Sequence, residues 1–259
     1  MTSVVTLTTD FGVEDAYVAA MKGVLLTRCP EARLVDLCHA VPPQDIRAGA
    51  LRLAAAAPYF PAGTVHLVVV DPGVGSARRA IAVSAHSHFF VGPDNGVLSL
   101  AADSGSPAWR AVELTNRAYW QPIVSTTFHG RDVFAPVAAH LACGGQIDDL
   151  GPWLDEIEQL QLPRVTGGVD EIRGVVLDVD RFGNLVTNIR SADLGERPIR
   201  DVTAGSAQIM GLSDRYDPAA RLVALFNSDG WLEVAAPGGS AARHLRLGVG
   251  APVRVRFAV

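Results

Sequence analysis

Short apolar runs alternate with helical patterns over the first 150 residues of the chain. The predicted strands of this part are 4–8, 33–37 and 65–70, and the predicted helices are about 13–28 and 44–57. Pro42 and Pro43 interrupt the chain just before the second helical stretch, as is common at a helix start. Strands that alternate with helices in this way indicate an α/β fold around a largely parallel central sheet.

Acidic residues follow two of the predicted strands. The run VHLVVV at 65–70 is continuously apolar, which is typical of a strand covered on both faces, and Asp71 comes directly after it. Asp10 follows the run VVTLTT in the same manner. Because open α/β sheets bind ligands beyond the carboxyl ends of their strands, we expect both carboxylates at the ligand-binding edge.

The pattern changes at about Pro163, where helical spacing ends and short strands separated by Gly, Pro, Asn and Asp begin. The predicted strands here are 172–179, 185–189, 222–226, 231–235 and 252–257. The segment LPRVTGGVD has the proline and glycine content of an exposed linker. We therefore predict an N-terminal α/β domain over 1–163 and a smaller, all-β, barrel-like domain over 170–259.

Composition narrows the range of partners. The chain has 259 residues, 49% of them hydrophobic, which is enough for two modest domains with filled cores. Its net charge is -5 and its basic residues are scattered, so it has no basic stripe for nucleic acid. The N-terminal sequence lacks the basic and apolar regions of a secretory signal, and no stretch approaches the ~20 apolar residues of a membrane span. We expect a cytoplasmic protein that binds a small molecule rather than nucleic acid or membrane.

The cysteines suggest neither a disulfide framework nor a zinc site. Cys29, Cys38 and Cys143 are odd in number and form no CxxC pair. We expect all three to be plain core residues. We also expect the protein to use no metal and no cofactor.

Four polar segments stand out from the apolar background. They are TTDFG at 8–12, DPGVGSARR at 71–79, TTFHGRD at 126–132 and DRFGNLVTNI at 180–189. In the second, Pro72 fixes one backbone angle while Gly73 and Gly75 permit positive φ, so the loop can hold a carboxylate and an arginine at one point. Taken alone, it is equally consistent with a tight turn capped by an aspartate. A single histidine such as His129 is more often structural than catalytic.

Together and in this order, the last three segments resemble the S-adenosylmethionine hydroxide adenosyltransferases, the family that includes the fluorinase and chlorinase enzymes. The resemblance also covers LTTDFG, VDLCHAVPPQDI at 35–46, VGPDNGVLS at 91–99 and FNSDGWLEVA at 226–235. It implies an α/β domain followed by a β domain, and a homotrimer with active sites at subunit interfaces. It implies hydrolysis of S-adenosylmethionine (SAM) to adenosine and methionine, by attack of water or hydroxide on C5′.

The resemblance assigns catalysis to Asp71, Arg78 and His129. Arg78 can favour an anionic oxygen by charge, while Asp71 and His129 accept and orient its protons; the sequence leaves open which of the two takes the proton. The sulfonium departs as a neutral thioether, so the reaction needs a well-held nucleophile but no acid. Halogenating members have uncharged or aromatic residues in place of Asp71 and His129. Because a carboxylate repels halide, this difference favours hydroxide as the nucleophile.

The same resemblance assigns residues to substrate binding. Asp10 suits the ribose hydroxyls, although an N-cap of the helix near Val13 is an alternative role for it. Asn184 can present its amide to the adenine edge, and Phe182 and Tyr216 can pack against the base. An aromatic residue of a β domain is otherwise usually in the core. The remaining implied contacts are Phe128 on the ribose side, Gly130 where halogenases border the halide, Asp180 and Ser228 at the methionine amino and carboxylate groups, and Trp231.

Three alternatives remain open at this point. Halide transfer within the family is one, and Gln44, Val186 and Asp229 replace two tryptophans and an arginine of the halogenating relatives. A metal-dependent phosphoesterase is another. Its ligands would come from Asp10, Asp71, Asp94, His129 and Asp132, although no HxH, HExxH or DxD spacing occurs among them. The third is a non-enzymatic adenosine-binding protein, which would have no use for the three catalytic residues together.

Overall fold

A mixed sheet of seven strands organises the first half of the chain in the computed structural model, which describes residues 3–103 and 105–258. Its strand order is β2-β1-β3-β5-β4-β6-β7. The strands are β1 (Val4–Thr9), β2 (Arg33–Cys38), β3 (Val65–Val69), β4 (Ala80–Ala85), β5 (His88–Pro93), β6 (Arg110–Glu113) and β7 (Trp153–Leu154). Strands β2, β1, β3 and β5 run parallel to one another, and β4, β6 and β7 extend the sheet with antiparallel pairs.

The antiparallel part begins at a tight hairpin. Strands β4 and β5 are joined by His86 and Ser87, which have positive φ values of 50° and 66°. Two left-handed residues in a row are typical of the two-residue turns that connect antiparallel strands. The predicted α/β class is confirmed, and the sheet is parallel on one side and antiparallel on the other.

Helices cover both faces of this sheet. They are α1 (Tyr17–Arg28), α2 (Ile46–Ala56) and α3 (Ala135–Ala142). Helices α1 and α3 pack on one face, over a core that includes Leu7, Leu67 and Phe134, whereas α2 packs on the other face. A one-turn π-helix, Gly130–Phe134, leads directly into α3, and short 3₁₀ segments lie at 57–59, 117–119 and 147–150.

The expectation for the cysteines is wrong for two of them. Cys29 and Cys143 form a disulfide with their Cα atoms 5.9 Å apart, whereas Cys38 is free. Each bonded cysteine directly follows a helix, and those helices, α1 and α3, pack against each other. Because the pair is 114 residues apart in sequence, no local spacing could reveal it.

The second half of the chain is an antiparallel, barrel-like sheet of eight strands. They are β8 (Thr166–Gly167), β9 (Glu171–Val179), β10 (Leu185–Arg190), β11 (Ile199–Ala204), β12 (Ala207–Met210), β13 (Val223–Phe226), β14 (Trp231–Ala235) and β15 (Pro252–Phe257). Their order is β12-β11-β15-β9-β10-β14-β13, with β8 beside β9. Two short helices, α4 (Ser191–Leu194) and α5 (Ala241–Leu245), interrupt the strands. The predicted β domain is confirmed as a fold.

The chain divides into two compact units, the first ending at Leu160 and the second beginning at Gln161. Each unit has a hydrophobic core of its own. Within residues 3–103 and 105–258, no helix combines the length and the apolar character that crossing a bilayer requires.

Candidate active site

The carboxyl ends of β1 and β3 place two predicted residues at one edge of the first sheet. Asp10 follows β1, and Asp71 comes two residues after the end of β3. Strands β1 and β3 are hydrogen-bonded neighbours and run parallel, so their polar ends meet at the same edge. This edge is where the sequence predicts the ligand.

Arg78 bridges Asp71 and His129 in one contact. Its Nε donates to both carboxylate oxygens of Asp71, at 2.9 and 3.1 Å, and its Nη2 also donates to Asp71. The same Nη2 lies 2.9 Å from Nδ1 of His129. The side chains of Asp71 and Arg78 are only 4% and 11% exposed. The structure thus joins the three residues predicted to be catalytic.

The contact fixes the tautomer of His129. A guanidinium always carries its protons, so Nδ1 of His129 must accept the hydrogen bond, and the ring proton of the neutral imidazole lies on Nε2. Burial lowers the pKa of His129, and the positive charge of Arg78 lowers it further, against the opposite effects of Asp71 and Asp132. A neutral imidazole with an Nε2–H donor is therefore the stable form.

A glycine lets the two catalytic segments approach each other, and an aspartate anchors the second segment. Gly75 has φ of 77°, and a Cβ there would overlap the carbonyl oxygen of Thr126, so the loop at 71–79 approaches the segment at 126–132 only because this residue is glycine. Asp132 is buried, accepts from the backbone N–H of Ser125 at 2.8 Å, and pairs with Arg131. We did not predict this anchoring role of Asp132 from the sequence.

Asp10 is held by the backbone of a neighbouring loop. Its Oδ2 accepts from the N–H of Gln44 at 2.7 Å, and Gln44 has a positive φ of 64°. The alternative role of Asp10 as a helix N-cap is wrong, because α1 begins only at Tyr17 and Ala16 is its N-cap residue. Among residues 3–103 and 105–258, no group donates a hydrogen bond to Oδ1 of Asp10, so the carboxylate can take a further donor.

Aromatic rings lie next to Asp10 and His129. Phe128 makes edge-to-face contacts with Phe11 at 5.8 Å and with Tyr17 at 5.3 Å between ring centroids. Gly130 is buried, and a Cβ there would press against Met21 and Phe128. Close packing within the protein is therefore a sufficient reason for a glycine at this position.

In the second unit, Asp180 closes the turn between β9 and β10. Its Oδ1 accepts from the backbone N–H groups of Phe182 and Asn184, at 2.9 and 2.8 Å, and its Oδ2 accepts from the Asn184 amide at 2.9 Å. Asn184 is buried, whereas the Phe182 side chain is exposed. Gly183 has φ of 87°, and a Cβ there would overlap Ser240. The DRFGN motif is thus a tight turn that presents an aromatic ring to its surroundings.

A buried glutamate accompanies this turn. Tyr216 donates its phenolic hydroxyl to Glu233 at 2.9 Å, and Glu233 is almost fully buried. Burial and the Glu233 carboxylate raise the pKa of Tyr216 to about 12, and burial raises the pKa of Glu233 as well. The negative charge of Asp180 raises both pKa values further. We missed Glu233 in the sequence, where its signal is one acidic residue in an apolar strand, WLEVA.

The other two residues predicted for the second unit lie on or beside the turn between β13 and β14. Ser228 is exposed within that turn. Trp231 begins β14, and the guanidinium of Arg190 stacks 3.6 Å from its ring centroid. The ring of Trp231 already has a cationic partner on one face, which is a sufficient structural role for it.

Each carboxylate considered as a metal ligand has a hydrogen-bond or ion-pair partner of its own. Asp71 pairs with Arg78, Asp94 with Arg79 and Asp132 with Arg131, while Asp10 accepts from a backbone N–H. Among the residues that the structure describes, no three His, Cys, Asp or Glu side chains are grouped so as to hold a metal ion. The arrangement of these residues gives no support to the phosphoesterase alternative.

The α/β unit carries this three-residue contact at its sheet edge, and a barrel-like β unit follows it in the chain. Two domains of these kinds, in this order, are typical of one known family. Residues 5–151 match the N-terminal domain of the SAM hydroxide adenosyltransferases, and residues 174–254 match their C-terminal domain. The chain belongs to this family.

Relatives that match nearly the full chain support this family assignment. The protein is 44% identical to an (R)-S-adenosyl-L-methionine hydrolase of Salinispora tropica, covering 97% of each chain, and 44% identical to one of Thermus thermophilus, covering 95% and 96%. It is 28% identical to a fluorinase of Nocardia brasiliensis, over 98% and 96%. Among solved structures, an uncharacterized conserved protein from Thermotoga maritima has a TM-score of 0.88 at 33% identity, covering 99% and 100% of the two chains.

Proposed function

We propose that this protein hydrolyses SAM to adenosine and methionine. The observation that carries the proposal is the bridge from Asp71 through Arg78 to His129, at the sheet edge where α/β proteins bind ligands. Family membership and relatives named (R)-S-adenosyl-L-methionine hydrolase support the same reaction.

The reaction needs one activated water molecule. Its oxygen forms a bond to C5′ while the bond from C5′ to sulfur breaks, and the electron pair of that bond neutralises the sulfonium. Methionine leaves as a thioether, and the attacking water gives up one proton. Holding the water in line and accepting its proton are the two tasks that the site must perform.

We assign the proton to Asp71. Nδ1 of His129 is occupied by Arg78, and Nε2 carries a proton, so the neutral imidazole can donate a hydrogen bond to the water but has no free lone pair to accept its proton. The Asp71 carboxylate offers about four lone-pair sites, of which three accept from Arg78. In this scheme Arg78 holds the carboxylate and the imidazole at a fixed position relative to each other, and its charge stabilises the developing hydroxide.

Substrate binding is proposed for the remaining predicted residues. Asp10 accepts from the ribose hydroxyls through its free oxygen, with Phe128 and Gly130 beside it. In the second unit Asn184, Phe182, Tyr216 and Trp231 hold the adenine, and Asp180 and Ser228 hold the methionine part. We also propose the homotrimer with active sites at subunit interfaces and the cytoplasmic location that the sequence suggests. Sedimentation analysis tests the assembly.

Halide transfer is less well supported than hydrolysis. The two hydrolases reported above are each 44% identical to this chain, whereas the fluorinase is 28% identical. An anion at the place of the water would also lie beside the Asp71 carboxylate, which repels it.

The test uses SAM in ¹⁸O-labelled water, with adenosine analysed by mass spectrometry. We expect one ¹⁸O atom on the 5′ carbon, with unchanged rates in the presence of a strong chelator. Parallel reactions with chloride test for 5′-chloro-5′-deoxyadenosine. Unlabelled adenosine, no adenosine at all, or the chloride product as the main product would overturn the proposal.

A further inference from the structure

The segment that follows β5 touches both ends of the loop at 71–79, which carries Asp71 and Arg78. This segment is PDNG at 93–96, which begins at the last residue of β5 and for which the sequence offered only a possible metal-ligand role of Asp94. The Asn95 amide donates to the carbonyl oxygen of Val70 at 2.9 Å. Val70 directly precedes Asp71, so this hydrogen bond fixes the start of the catalytic loop.

Asp94 fixes the other end of the loop. Its carboxylate accepts from Nε of Arg79 at 2.7 Å and pairs with Nη2 of Arg79 at 2.6 Å. The backbone N–H of Asp94 also donates to the carbonyl oxygen of Arg79 at 3.0 Å, which extends the ladder between β4 and β5 by one bond. The Asp94 side chain is only 2% exposed, so its pairing with Arg79 is little weakened by solvent.

The pairing of Arg79 bears on Arg78 through the backbone. Successive side chains of an extended chain point to opposite sides, and these two arginines contact different partners just before β4. Nη1 of Arg78 also donates to the carbonyl oxygen of Arg79 at 3.4 Å. Holding Arg79 on Asp94 therefore sets the direction in which Arg78 reaches Asp71 and His129.

We propose that Asp94 and Asn95 are positioning residues for the catalytic bridge. They clamp residues 70 and 79 and thereby fix the distance from Asp71 and Arg78 to His129. The inference rests on the proposed function, since it concerns how that site is held. Neither side chain forms a hydrogen bond or ion pair with Asp71, Arg78 or His129, and neither residue is proposed to contact the substrate.

Asn95 gives the sharper test of the two. Asp94 also accepts from the backbone N–H of Glu158 at 2.7 Å, so replacing it loosens a second segment of the unit. Asn95 makes one bond to Val70 and one to its own turn, where its Oδ1 accepts from the N–H of Val97 at 3.1 Å. In N95D the bond to Val97 can persist, while a carboxylate oxygen replaces the donor facing Val70.

A matched control exists in the same unit. Asn116 makes the same two kinds of bond, from its amide to the carbonyl oxygen of Asp149 at 2.8 Å and from the N–H of Ala118 at 3.2 Å. Neither of these bonds involves the catalytic loop. N116A therefore removes equivalent hydrogen bonds without loosening residues 70 or 79.

Steady-state kinetics with SAM and thermal unfolding are measured for N95A, N95D, D94N and N116A. Because displacements of about 1 Å can cost about 100-fold, we expect kcat to fall about 10- to 100-fold in N95A, N95D and D94N, with KM within about threefold. We expect N116A to keep its kcat even where its melting temperature falls. A normal kcat in N95D and D94N, or a loss in N116A equal to that in N95D, would overturn the inference. Failure of the unmodified protein to form adenosine would instead overturn the proposed function.

Discussion

The conversion of Asp71 to Asn tests the proposed proton acceptor. The change keeps the shape of the side chain but replaces an acceptor with an amide group that faces the donors of Arg78. Arg78 then loses part of its hydrogen bonding to residue 71, so Nη2 is no longer held against His129. General bases contribute about 10²–10⁴ to rates, so we expect kcat to fall by that factor, equivalent to about 3–5 kcal/mol. Adenosine affinity, measured by calorimetry, should change little because other residues hold the nucleoside.

A buried ion pair elsewhere serves as the control for this variant. Asp201 is fully buried in the second unit and accepts from Nε of Arg256 at 3.0 and 3.1 Å. We expect D201N to lower the melting temperature, as loss of one partner of a buried pair commonly does, while kcat stays near normal. The reasoning is refuted if D71N keeps kcat within tenfold of the unmodified protein, or if D201N loses as much activity as D71N.

Three further predictions concern pH and the disulfide. Burial, with a smaller effect of His88, lowers the pKa of His66 to about 3 from its usual 6.5. The free energy of unfolding should therefore have its full value above pH 6.5 and fall by about 1.4 kcal/mol per pH unit below it. In denaturant titrations, the free energy of unfolding should differ less between pH 7 and pH 5 for H66F than for the unmodified protein. A difference of equal size in the two proteins would contradict this. The lowered pKa of His129 keeps Nδ1 unprotonated, so that it can accept from Arg78; kcat/KM should therefore be lost on acidification only below pH 6.5, and loss centred above that value would contradict the assignment. For the disulfide, thiol titration of the denatured protein should find one thiol before reduction and three after it, and reduction should remove about 5 kcal/mol of stability on a loop-entropy argument. Three thiols before reduction would disprove the bond.

In the first unit, strands β1 to β3 and helices α1 and α2 were predicted because their periodicity is strong, whereas strands β4 to β7 and helix α3 were not. The run 65–70 is apolar throughout and forms the buried strand β3. Helix α1 was predicted about four residues too long, because 13–16 has helical spacing but forms bends before Tyr17. Strand β11 was missed since its alternation includes Arg200 and Asp201, and Asp201 is buried in pairs with Arg200 and with the distant Arg256.

The candidate site was predictable as a set of residues but not as an arrangement. Motif order pointed to Asp71, Arg78 and His129, and the structure places them in contact. Their roles stay a prediction. The sequence could not show which nitrogen of His129 is occupied, since this depends on a hydrogen bond across 51 residues. The role of Asp94 was equally hidden, because a carboxylate after a strand fits a metal ligand as well as an arginine partner.

The bond between Cys29 and Cys143 gives the first unit a closed covalent ring. Asp71, Arg78 and His129 all belong to the 114-residue span that it encloses. A cut of the backbone anywhere inside that span would leave both fragments in one molecule for as long as the bond is intact. The catalytic bridge is thus protected from dissociation after such a cut, although not from local loosening.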